Sequence, residues 1–122
     1  MKMLKVVYVE PHKRAVVAEI EDSLAGIQKA VDGYFETVDM CDGCVLVCTE
    51  EAKLRGMEGN RRYNGGRSVI AGPFFVAGLG EEDFRSLTDE ETERYLKRFA
   101  EPEEIPKEEV EADMGFQFIV LP

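Results

Sequence analysis

Cys41-Asp42-Gly43-Cys44 is the densest group of reactive side chains in this 122-residue sequence. Two thiolates at that spacing on a tight turn make half of a zinc knuckle, and thiol–disulfide redox pairs use the same spacing. Structural zinc needs four ligands, with sulfur at about 2.3 Å, and the other candidates are Cys48 and His12. Cys48 lies four residues beyond Cys44 on the same expected strand, about 13 Å away at ~3.3 Å per residue. A closed site would therefore need a second chain. Redox pairs place the first cysteine at a helix N-terminus, whereas this pair flanks a hairpin turn. The plainer expectation is small residues on a half-exposed strand, with no metal bound. His12, the single histidine, sits in a turn between Pro11 and Lys13, and no G-x-S-x-G elbow accompanies it. Neither feature reads as a catalytic centre, and no cofactor is expected.

The basic stretch from Lys53 to Arg67 carries more information. It holds Lys53, Arg55, Arg61, Arg62 and Arg67 against one acid, Glu58, in a chain of net charge −10. Guanidinium forks, the amides of Asn60 and Asn64, and backbone N–H groups freed by Gly59, Gly65 and Gly66 are groups that hold phosphates or carboxylates. Tyr63 could stack on a base. The expected site for a small anionic, nucleotide-like ligand is thus Arg61, Arg62, Asn60, Tyr63, Arg55 and Arg67. The stretch is not a Walker motif, and Gly78-Leu79-Gly80 lacks the rest of a dinucleotide fingerprint. The competing expectation is that these arginines pair with the chain's own acids.

Residues 81–113 supply such acids, with 14 acids against five bases. That run can imitate a phosphate backbone and engage a basic protein partner, as an inhibitor or DNA mimic would, although such runs are more often solvated faces. The overall negative charge argues against direct binding to nucleic acid or anionic membranes. The longest uncharged stretch, Ser68–Gly80, is too short and glycine-rich to span a bilayer. An odd cysteine count without a secretion signal fits a cytoplasmic protein.

The elements that must position these residues can be read from periodicity. Met3–Glu10 and Arg14–Ile20 flank Pro11 as a first hairpin. A helix over 23–32 follows, with a cap at Asp22 or Ser23 and Gly33 as its left-handed terminator. Tyr34–Cys41 and Cys44–Thr49 form a second hairpin on Asp42-Gly43. A two-residue type I′ turn there pairs Cys41 with Cys44, Met40 with Val45 and Val38 with Val47. Glu50–Ser68 reads as a long loop, and Val69–Ala77 as a strand. Thr88-Asp89-Glu90-Glu91 is a capping box opening a second helix, which ends near Ala100 before Pro102. Glu101–Asp113 is weakly structured in this reading, and Met114–Leu121 is a last strand. The fold expected is α+β: a mainly antiparallel sheet of about six strands with two helices packed on it. One domain spans 1–100, and 101–122 is an acidic segment and strand returning to it. An edge strand, Val69–Ala77 or Met114–Leu121, could pair two copies as a homodimer.

Several blocks resemble a known family: Gly33-Tyr34-Phe35-Glu36, Glu50-Glu51-Ala52-Lys53-Leu54, Asn60-Arg61-Arg62, Ile70-Ala71-Gly72-Pro73-Phe74-Phe75-Val76-Ala77-Gly78 and Phe84-Arg85-Ser86-Leu87-Thr88-Asp89-Glu90-Glu91, followed by Tyr95 and Phe99. They are similar, in order over about residues 3–100, to short bacterial and phage proteins known only as a domain of unknown function. Where the family pattern has an acid shortly before the Ile-x-Gly block, this chain has Ser68, and Cys41-x-x-Cys44 lies outside the pattern. The resemblance implies an accessory protein of mobile-element or gut-type bacterial genomes, with no established reaction, cofactor or catalytic residue. The function expected is a non-enzymatic binding or regulatory module.

Overall fold

A computed structural model of the chain describes residues 2–113. Its elements are β1 (Met3–Val9), β2 (Val16–Glu21), α1 (Leu24–Val31), β3 (Phe35–Asp39), β4 (Cys44–Thr49), β5 (Gly59–Tyr63), β6 (Ser68–Ala71), β7 (Phe74–Leu79), β8 (Phe84–Arg85), α2 (Asp89–Arg98) and α3 (Lys107–Asp113). The fold is α+β. A six-stranded sheet runs β2-β1-β7-β4-β3 with β8 also on β7, and β5 and β6 form a separate two-stranded sheet. Every pairing is antiparallel.

Alternation along the strands divides the apolar residues between two faces. On one face Ile27 and Val31 of α1 cover Leu4, Val6, Val45, Val47, Phe75 and Ala77. On the other, Tyr95 and Phe99 of α2 and Ile70 of β6 cover Val7, Val9, Leu46, Phe74 and Val76. Short α1 starts on the Ser23 hydroxyl, which accepts the Gly26 amide. A Cβ at Gly26 would lie 2.3 Å from the Glu21 carbonyl oxygen, so glycine there lets the helix approach β2. The left-handed residue ending α1 is Asp32 (φ 63°), one place before the expected Gly33. On α2 the capping box is complete: the Thr88 hydroxyl accepts the Glu91 amide, and the Glu91 carboxylate accepts the Thr88 amide.

Three expectations are corrected. The β3–β4 register pairs Val38 with Leu46 and Asp39 with Val45, one residue from the type I′ register. Cys41 takes a left-handed φ of 63° and joins Asp42 and Gly43 in a three-residue loop, tied by Asp39 Oδ1 accepting the Cys41 amide and Asp42 Oδ1 accepting the Cys44 amide. A one-residue slip exchanges faces, so Val38 and Met40 pack with Cys44 and Leu46, opposite to Val45 and Val47. Secondly, Val69–Ala77 is not one edge strand of the large sheet. Gly72 (φ 75°) breaks it into β6 and β7, and β7 lies inside the sheet. Among the described residues the free edges of the large sheet are β2 and β3. Thirdly, residues 107–113 form α3. The expected strand Met114–Leu121 lies outside the described residues. Among the described residues no helix is long and apolar enough to cross a membrane.

Candidate functional site

The stretch expected as a long loop contains β5, which pairs with β6 across the tip Asn64–Arg67. A strand sends successive side chains to opposite faces, and this alternation separates the two arginines expected to share a ligand. Arg61 points into the molecule and is wholly buried. Its Nη1 donates to the Asn60 carbonyl and Oδ1 at 3.0 and 2.9 Å, and its Nη2 donates to the carbonyls of Lys13 and Phe99 at 2.6 and 2.9 Å. Nε is buried without a hydrogen-bond partner among the described residues. Burial lowers the pKa of the guanidinium, partly countered by Glu103 and Glu101. Asn60 is buried too, and its Nδ2 donates to the carbonyls of Val9 and Gly72. Together the two side chains tie β5 to the ends of β1 and α2 and to the turn before β7.

Arg62 faces the acidic arm, residues 101–113. Its Nε and Nη2 donate to the two oxygens of Glu109 at 2.6 and 2.7 Å, and Nη1 donates to Glu103 at 3.1 Å. The Glu109 hydrogen bonds raise the pKa of Arg62, and the same contact lowers that of Glu109. Lys53 pairs with Asp113, which also accepts the Val69 amide. Gly59 lets the arm come close, because a Cβ there would lie 2.8 Å from Ile105. Arg55 closes the end of α1 by donating to the Asp32 carbonyl at 2.8 Å. Arg67 is exposed on the hairpin tip, and Tyr63 is half-buried beside the core. The six expected residues therefore do not converge. Asn60, Arg61, Arg62 and Arg55 are held by the chain's own oxygens, leaving Arg67 and Tyr63.

What the hairpin does create is a cleft of about 320 Å³ between itself and the β3–β4 edge. It is lined by Val38, Ala52, Leu54, Tyr63, Val69 and Ile70, by the Lys53–Asp113 ion pair, and by Glu36, Glu50 and Glu51. None of these three acids forms an ion pair among the described residues. Cys48 also lines the cleft, and burial, reinforced by Glu36, pushes its thiol up to about 12. A second hollow of about 580 Å³ lies on the other side of Lys53 and Leu54, against Met57, Ile105 and Val110.

The Cys41–Cys44 turn is pinned to α2. Tyr95 donates its hydroxyl proton to Asp42 Oδ2 at 2.7 Å, and Arg94 Nη2 lies 3.2 Å from the same oxygen. Arg85 donates to both oxygens of Glu91 and to the Gly43 carbonyl. The Arg85 hydrogen bond, with backbone help from Thr88, holds Glu91 down at about 2. Cys41 is exposed while Cys44 is buried, and burial pushes the Cys44 thiol up to about 12. Among the described residues no three His, Cys, Asp or Glu side chains are grouped to hold a metal ion. The Arg85–Glu91 and Tyr95–Asp42 contacts escape sequence reasoning. Only the capping box singled out Glu91, and it says nothing about Arg85.

These residues can be set beside known proteins. A family model described as Domain of unknown function (DUF3846) matches residues 1–100, most of the chain. The chain belongs to this family. No curated protein and no solved structure matches it. The DUF3846 unit thus takes in the sheet, α1, the β5–β6 hairpin, α2 and all the arginines just described. Glu103, Glu109 and Asp113, which occupy Arg62 and Lys53, lie beyond the matched residues.

Proposed function

We propose that this DUF3846 protein is a non-enzymatic binding module, an accessory protein that engages a basic protein partner through the cleft between the β3–β4 edge and the β5–β6 hairpin. The observation carrying this reading is the convergence on one cleft of three acids outside any ion pair among the described residues, Glu36, Glu50 and Glu51. The cleft also presents the apolar side chains of Val38, Leu54, Val69 and Ile70. In the acidic stretch 81–113, by contrast, several carboxylates are used internally: Asp89 by Lys5, Glu91 by Arg85, Glu101 by Arg14, and Glu103 and Glu109 by Arg62. Carboxylates beside apolar side chains select a cationic side chain together with an aliphatic one. Free thiols at Cys41, Cys44 and Cys48 suit the cytoplasm of this proposal.

The test is calorimetric titration with a short amphipathic peptide carrying arginine and leucine. Binding that salt weakens, that Glu50→Lys with Glu51→Lys abolishes, and that Glu81→Lys with Glu82→Lys leaves intact supports the cleft. The opposite pattern moves the site to the 81–113 surface, and no binding by the wild-type protein removes the reading.

A second reading retains the anionic ligand. The two carboxylates on Arg62 mark a place where an anion is held, and an incoming nucleotide would have to displace them. Glu103→Gln with Glu109→Gln should then strengthen nucleotide binding measured by the same calorimetry. Unchanged or absent binding in that variant eliminates this reading.

A further inference from the structure

We propose that β2 pairs with β2 of a second copy, antiparallel and centred on Ala18, so that two sheets join edge to edge in a homodimer. Among the described residues the edge is open and regular. Its register with β1 runs without a bulge from Glu21 to Val16, it contains no Pro, and its charges, Glu19 and Glu21, sit at one end only, leaving Val16–Ala18 uncharged. Val16 and Val17 are 50% and 48% exposed, one on each face of the strand.

Backbone direction fixes which groups are free. The Asp22 amide donates to the Lys2 carbonyl, which makes 2 and 22 a hydrogen-bonded pair. Antiparallel pairs alternate, so Val16, Ala18 and Ile20 direct their backbone groups to β1. Val17 and Glu19 direct theirs outward. A two-fold partner must therefore oppose odd residues to odd ones, which limits the registers.

Centring on Glu19 would oppose two like charges, and centring on Val17 would run the pairing into residues 13–15, outside the strand. Centring on Ala18 overlays residues 15–21 and places the smallest side chain at the axis. It sets Val17 opposite Glu19, and Val16 opposite Ile20, of the second copy. The Val16–Ile20 pair falls on the α1 face, beside a hollow of about 410 Å³ lined by Tyr8, Ala18, Ile20 and Ala30.

Charge selects a second copy and this edge. β2 is entered through Lys13 and Arg14, whose partners within the chain are Glu10 and Glu101. It is left through Glu19 and Glu21, unpaired among the described residues, and through Asp22, which pairs with Lys2. Antiparallel pairing therefore brings the basic end of each copy to the acidic end of the other, with these ion pairs exchanging partners. In this register position 14 faces position 22. The other free edge, β3, carries Glu36 and Asp39 with no base from residue 33 to 41, and self-pairing there would set acids near acids.

Native mass spectrometry of the full chain over a concentration series reads the dimer directly. Val17→Pro removes an outward N–H that the monomer does not use, a place where edge strands tolerate proline. It should abolish the dimer mass while thermal unfolding stays cooperative. Ala18→Cys, in a Cys41→Ser background, places two thiols at a non-hydrogen-bonded pair, where Cα atoms lie about 4.5 Å apart, within disulfide reach. It should crosslink on mild oxidation, and Val17→Cys should not. Only monomer at every concentration, a dimer that survives Val17→Pro, or crosslinking through Val17→Cys in preference to Ala18→Cys would overturn the proposal.

Discussion

Arg61 and Arg62 are consecutive, chemically identical and satisfied in opposite ways. Arg61 is wholly buried, and the hydrogen bonds it donates go to three backbone carbonyls and an amide oxygen, with no carboxylate among them. Arg62 is partly exposed and gripped by two glutamates of the arm. A guanidinium stays charged even when buried and presents its donors in a rigid planar fork. Arg61 uses that fork to join three segments of the family unit. Arg62 uses it to fasten the arm to that unit. The difference shows that a cluster of basic residues read as one patch can be two devices, divided by the two-residue period of a strand.

The sharpest break of the comparison is Arg61→Ala, which leaves four acceptors unpaired in the interior. By chemical denaturation it should cost about 1–3 kcal/mol for each buried acceptor left without its donor. Arg61→Lys should recover only part of this, because one ammonium cannot serve both the Lys13 and Phe99 carbonyls at Nη2 and the two Asn60 oxygens at Nη1. Arg62→Lys, by contrast, should cost little global stability and loosen only the bidentate grip on Glu109.

A third arginine, Arg85, extends the contrast, since its carboxylate partner sits on the capping box. Thr88→Ala should cost about 1 kcal/mol. Glu91→Gln should add a pH signature. The folded-state pKa of Glu91, about 2, lies below the ordinary 4.5. The stability that Glu91 contributes is therefore fully present above pH 4.5 and is lost as pH falls toward 2. Melting curves of wild type and Glu91→Gln should differ at neutral pH and converge in acid.

Arg62→Ala should have a smaller and local effect. Amide hydrogen exchange should rise over 103–113 and leave β1, β4 and β7 protected, and high salt should reproduce part of the change in the wild type. The mildest consequence concerns thiols. Cys41 should react rapidly with a disulfide reagent, while Cys44 and Cys48, both buried and pushed up to about 12, should react only on unfolding.

The Thr88–Glu91 capping box was legible because its partners are three residues apart. The first hairpin, helices α1 and α2 and the antiparallel α+β fold followed from local periodicity in the same way. The β3–β4 register was not, because Asp42-Gly43 favours a two-residue turn and the left-handed Cys41 lengthens it by one. The hairpin within 50–68 was hidden by its polar inward residues, Asn60 and Arg61. Their acceptors on Val9, Lys13 and Phe99 lie 51, 48 and 38 residues away, beyond any local pattern. The pairing of basic residues with the chain's own acids was foreseeable as a charge balance. Which acids remain unpaired, and that Glu36, Glu50 and Glu51 share a cleft, depends on the tertiary fold.

The most direct test of the cleft is a pair of NMR titrations on uniformly labelled wild-type protein, one with the arginine–leucine peptide and one with a nucleotide. The peptide should shift the amides of Glu36, Ala52, Tyr63 and Val69, and the nucleotide should leave Asn60–Arg67 unmoved. Shifts along Asn60–Arg67 with the nucleotide, and none in the cleft with the peptide, would contradict the account.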